Sequence, residues 1–115
     1  MILVVVDDLM FSSRISTAAK QLGVDIVFTR TLADVLDRAR SLAPALVILD
    51  LNARTIDPLA AITALKADRA LHGIRTLGFV SHVDADTITR ARDAGVDEIM
   101  ARSAFTSRLG EILRP

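Results

Sequence analysis

Ile2-Leu3-Val4-Val5-Val6-Asp7-Asp8, five consecutive apolar residues closed by two acids, opens the chain, and Leu46-Val47-Ile48-Leu49-Asp50 repeats the pattern with one acid. Unbroken apolar runs of this length read as strands buried on both faces, as in a parallel sheet flanked by helices. Each acid then stands at the C-terminal end of its strand, where open α/β sheets place their functional crevice. Asp7, Asp8 and Asp50 are thereby expected to converge on one small volume. Crowded there, they repel by a few kcal/mol per pair at an effective dielectric of about 20. Either a divalent cation or a shifted proton is expected to neutralise them.

Outward from these two runs the chain alternates between helical and strand periods. Phe11, Ile15, Ala18, Ala19 and Leu22 recur at helical spacing before Gly23, which suits a C-cap. Val24 to Phe28 reads as a short strand. Thr31, with Asp34 three residues on, resembles a capping box for a helix carrying Leu32, Val35, Leu36 and Ala39, and Pro44 lies beyond it. After the Asn52 to Ile56 loop, Asp57 as N-cap and Pro58 at the first helical position open a third helix with Ile62 and Leu65. Asp68 to Arg75 is a polar connection. Leu77 to Val80 predicts a fourth strand ending at Ser81, followed by a helix capped by Asp84 or Asp86, carrying Ile88, Ala91 and Ala94 and closed by Gly95. Val96 to Met100 is a weaker fifth strand, and Ser103 is expected to cap one last helix with Phe105, Leu109, Ile112 and Leu113 on its face. The strict alternation predicts a doubly wound α/β fold with a five-stranded parallel sheet and right-handed crossovers.

Composition narrows the function classes. The 115 residues suit a single domain over 1–115, large enough to bury roughly two thirds of its unfolded surface. Fourteen basic and fourteen acidic residues give zero formal net charge, so direct nucleic-acid or anionic-membrane binding is not expected. With no cysteine there is no disulfide, thiolate metal site or thiol nucleophile. Apolar stretches fall far short of the roughly 20 residues that cross a bilayer, and no basic leader precedes Ile2. The chain reads as cytoplasmic. Asp7 and Asp8 are adjacent rather than spaced as the Asp-x-Asp of haloacid-dehalogenase-type phosphatases. No Asp-x-His-x-x-Gly run suggests cobalamin, and the first turn, Asp8-Leu9-Met10-Phe11-Ser12, lacks the glycines of a nucleotide fold. His72 and His82 are assigned no role.

An acid pair ending strand one (Asp7-Asp8), an acid ending strand three (Asp50), a hydroxyl ending strand four (Ser81) and a cation after strand five (Arg102) together resemble the receiver domain of two-component response regulators. The resemblance covers essentially the whole chain and includes Ala94-Gly95-Val96-Asp97 before strand five. It implies a flavodoxin-like (βα)5 sheet of order 2-1-3-4-5, which sets strands one and three side by side. It further implies that Asp50 is the phosphoacceptor and that Mg²⁺ is held by Asp8, Asp50, the Asn52 backbone carbonyl and, through water, Asp7. Ser81 would bond a phosphoryl oxygen, and Arg102 would be the cation beside it. The implied partners are a sensor histidine kinase or phosphotransfer protein and a downstream protein. A homodimer through the face of the fourth and fifth helices follows by family analogy. No effector domain is expected, so output would run through protein contacts. The chain would be no enzyme beyond catalysing its own phosphorylation and dephosphorylation.

Several positions depart from the family pattern. Arg102-Ser103-Ala104 stands where the family has Lys followed by Pro, Arg54 and Pro58 stand where Pro and Gly are usual, and Ile99 replaces an aromatic switch residue. Arg102 has a planar, forked head where an ammonium is a point charge. It could grip phosphate in two-point fashion, or pair with Asp50 or Asp8 in the metal's place. Two readings therefore follow: a phosphorylatable receiver, favoured by the intact acids, and a degenerate receiver-like interaction module not regulated by phosphorylation, favoured by the altered positions.

Overall fold

The computed structural model describes residues 1–81 and 84–114; His82 lies outside them. Five strands alternate with helices: β1 (Ile2–Val5), α1 (Leu9–Leu22), β2 (Ile26–Phe28), α2 (Leu32–Leu42), β3 (Leu46–Asp50), α3 (Pro58–Ala67), β4 (Arg75–Val80), α4 (Ala85–Ala94), β5 (Glu98–Ala101), α5 (Arg102–Ser107) and α6 (Leu109–Leu113). The sheet is parallel throughout, in the order β2-β1-β3-β4-β5. This is the doubly wound, flavodoxin-like order expected from the alternation and the resemblance. Val5 pairs with Leu49, so the acids of β1 and β3 follow side by side.

Strand alternation sorts the core into two layers. Ile2, Val4, Ile48, Leu77 and Phe79 pack against Phe11, Ile15 and Ala19 of α1, Phe105 of α5, and Leu109 and Leu113 of α6. Leu3, Val5, Val47 and Leu49 face the other way, against Val35 and Ala39 of α2, Ala61, Ile62 and Leu65 of α3, and Ala91 of α4. Most helix ends follow from single residues. Thr31 accepts the Asp34 amide at 3.0 Å, Asp57 accepts those of Leu59 and Ala60, and Asp84 caps α4. Gly23 and Gly95 close α1 and α4 at φ 67° and 104°, where an L side chain is strained. No helix among the described residues is long and apolar enough to cross a membrane.

The chain departs from its sequence pattern at the C-terminal end. β5 covers Glu98–Ala101 rather than Val96 to Met100, because Asp97 is drawn out of the strand. Its Oδ2 accepts the Thr76 amide at 2.8 Å, the Thr76 hydroxyl at 2.9 Å and Lys66 Nζ at 2.9 Å. Lys66 also donates to the carbonyls of His72 and Ile74. Burial alone would raise the Asp97 carboxyl; Lys66 and Thr76 outweigh it and hold it below the ordinary value. The expected single last helix, capped by Ser103, is instead two. α5 starts at Arg102 directly from β5, with Ala101 as an N-cap lacking a side-chain bond. Arg108, at φ −103° and ψ 9°, divides α5 from α6. Hydroxyls of Thr106 and Ser107 bond back to the carbonyls of Arg102 and Ala104, a pattern that bends helices.

Candidate functional site

The turn after β1 places its two acids on different partners. Asp8 caps α1, its Oδ1 accepting the Phe11 amide at 3.1 Å, while its Oδ2 accepts Arg102 Nη2 at 3.0 Å. The Arg102 guanidinium carbon lies 4.0 Å from the centre of the Phe11 ring, so one residue supplies both the amide under Asp8 and the face under its cation. Asp7 turns to the loop after β3. Its Oδ2 accepts the amides of Arg54 at 2.7 Å and Thr55 at 2.9 Å, and the Thr55 hydroxyl at 3.1 Å.

Asp50 ends β3 and is 5% exposed. Its Oδ1 accepts the Asn52 amide at 2.9 Å. Among the described residues no buried side-chain polar atom lacks a partner, and Oδ2 takes no protein hydrogen bond; that oxygen therefore keeps contact with solvent. Leu51 carries the chain onward by donating its amide to the Phe79 carbonyl and lying against Gly78, where a Cβ would come within 2.8 Å of Leu51 Cδ1. Gly78 thus permits the close approach of Leu51 just beyond Asp50, at the C-terminal end of the central strand. Ser81 donates its amide to Asn52 Oδ1 at 2.7 Å, tying the β3 and β4 ends together. A cleft of about 720 Å³ opens above α1 and α5, lined by Asp8, Phe11, Ser81, Arg102, Ser103 and others; Asp7 lines a separate groove.

No family model matches the chain. Response regulator protein VraR of Staphylococcus saprophyticus is 29% identical over 104 residues, which cover 90% of this chain and 47% of that protein. The VraR proteins of two Staphylococcus epidermidis strains are 28% identical over 81 residues, 70% of this chain and 38% of theirs. The chain thus spans about half, or less, of the length of these curated relatives. Among solved structures, Vibrio cholerae chemotaxis protein CheY4 superposes with a TM-score of 0.83 at 13% identity, covering 97% of this chain and 93% of that one. The receiver domain of NtrX from Brucella abortus gives 0.79 at 20% identity, with coverages of 97% and 93%. The chain has the fold of these receiver domains. The Mn²⁺-bound response regulator Rcp1 has the same fold, at a TM-score of 0.79 and 17% identity over 96% of this chain and 89% of its own.

The acids at the strand tips sit close enough to sense one another. Burial raises the Asp50 carboxyl above its ordinary value; the Asn52 amide opposes this, Asp7 adds to it, Arg102 opposes it and Asp8 adds to it. Asp7 lies below the ordinary range, chiefly through the Thr55 amide, and Asp8 does so through the Phe11 amide and then Arg102. The donor chemistry, hard carboxylate oxygens, suits a divalent cation. The arrangement does not. Among the described residues no three acidic, histidine or cysteine side chains are grouped to hold a metal ion. Each of the three carboxylates has hydrogen-bond donors of its own. Asn52, expected to act only through its carbonyl, uses its side chain as well. Nothing in residue type distinguishes that use. Ile99 is half-buried against the core layer on the α2, α3 and α4 side of the sheet, and Pro58 sits buried at the start of α3.

Proposed function

We propose that residues 1–115 act as one receiver domain in two-component signalling, taking a phosphoryl group on Asp50 from a sensor histidine kinase or phosphotransfer protein. The observation that carries this reading is the asymmetry of Asp50: one oxygen is fixed by the Asn52 amide, and the other takes no hydrogen bond among the described residues and keeps some contact with solvent. The free oxygen attacks phosphorus as the bond to the donor's imidazole nitrogen breaks. An acyl phosphate forms and the imidazole leaves. Burial keeps the carboxylate poorly solvated and so more basic than an exposed Asp. Ser81 and Arg102 line the adjoining cleft, where a hydroxyl and a cation suit phosphoryl oxygens. Mg²⁺ is the hard cation such oxygens would favour, but Asp8 accepts one only after Arg102 withdraws. Output is a population shift read by a protein partner.

Incubating the protein with phosphoramidate and Mg²⁺ and weighing it intact is expected to show one added phosphoryl group, mapped by borohydride reduction to the peptide holding Asp50. No gain in mass, or label elsewhere, contradicts the assignment. A second reading, an interaction module independent of phosphorylation, is favoured by the Arg102–Asp8 contact and predicts no gain.

A further inference from the structure

We infer that Arg102 is a tethered cation standing in for a divalent ion: its guanidinium, held on Asp8 and over Phe11, must leave before metal can reach the acids. The inference rests on the receiver reading of the site and adds a gate to it. Both ends of the contact are fixed. Asp8 is pinned as the cap of α1 by the Phe11 amide, and Arg102 is the first residue of α5, its carbonyl engaged by the Thr106 hydroxyl. The two side chains are only 30% and 39% exposed, and the planar head finds a carboxylate oxygen at 3.0 Å and an aromatic face at 4.0 Å together. A lysine's ammonium has no plane with which to stack on that ring. With Asp8 Oδ1 on an amide and Oδ2 on the guanidinium, a second cation on this carboxylate would lie beside the first and be repelled. The chain's own cation thus occupies Asp8 without an ion from solution.

Mn²⁺ alone, titrated while amide signals are followed for paramagnetic broadening, tests this. Arg102→Ala should bind Mn²⁺ about tenfold or more tightly than the wild type, a gain of about 1.4 kcal/mol, with broadening centred on Asp8 and Asp50. Arg102→Met, which keeps an apolar stem over Phe11, should behave alike and covers the case in which the alanine variant is poorly folded. Adding Asp8→Asn to either should abolish the gain. Equal affinity in wild type and folded variants, or no binding in any of them, overturns the gate. Phosphoramidate labelling of the same proteins separates the two proposals: unlabelled protein in every variant contradicts the acceptor role of Asp50, whatever the metal titration shows.

Discussion

Asp50→Asn is expected to take up no phosphoryl group and at the same time to melt higher than the wild type at neutral pH. The first effect is the loss of the nucleophile, since an amide oxygen does not form the acyl phosphate. The second follows from linkage. The Asp50 carboxyl is held above the ordinary 3.8 in the folded chain, so folding binds its proton more tightly. That favourable contribution is complete below 3.8 and is lost as pH rises through the folded value. At neutral pH the ionised, buried group costs stability. Asparagine removes the charge yet retains an oxygen for the Asn52 amide at the place where Asp50 accepts it at 2.9 Å. The gain should amount to a few degrees in Tm at pH 7 and fade as the wild-type carboxyl becomes protonated in acid. Thermal melts of both proteins from pH 3 to 7 read this directly. A variant less stable than wild type at neutral pH contradicts the electrostatic account, and one that is labelled contradicts the chemical one.

Phe105→Ala should cost about 3–5 kcal/mol, the usual range for emptying an aromatic site in a core. Phe105 is fully buried, stacked on Phe79 with ring centres 4.6 Å apart and tilted against Phe11 at 5.7 Å; Phe11 and Phe79 are 5.1 Å apart. The triangle joins α5, β4 and α1 beneath the cleft, and Phe11 is also the ring under Arg102. A domain of this size has about 5–15 kcal/mol in all, so the loss corresponds to roughly 10–20 °C in Tm. Denaturant unfolding gives the value; a change below about 1 kcal/mol would be too small for a fully buried ring. Charge at Arg102 should hold less firmly in the variant, since its aromatic seat loses one of two neighbours.

Much of this architecture is readable from residue order, and for local reasons. Apolar runs bounded by acids, glycine or proline have one economical placement, and Thr31, Asp57, Gly23 and Gly95 act on neighbours within a few positions. The acids at the strand tips are readable for the same reason, as is Arg102, whose pairing with Asp8 is one of the contacts its position leaves open. What is not readable depends on partners far along the chain. Asp7 bonds amides 47 and 48 residues away, and Asp97 and Lys66 are 31 residues apart. Ordinary surface charges look identical in sequence. Gly78 gives no local sign that Leu51 will press against it, and the break at Arg108 coincides with hydroxyls that donate to helix carbonyls rather than with a glycine or proline. The partners of the three carboxylates are likewise not local signals: Asp7 and Asp50 accept amides, and Asp8 an amide and a guanidinium.

The carboxylates of positions 7, 8 and 50 share one electrostatic neighbourhood, with Asp50 buried at its base. Carbon-detected NMR titration of the Asp50 carboxyl, in the wild type and in Asp7→Asn, tests it most directly. A midpoint above 3.8 that falls when Asp7 is neutralised is the predicted result; a midpoint at or below 3.8, unmoved by the substitution, would contradict it.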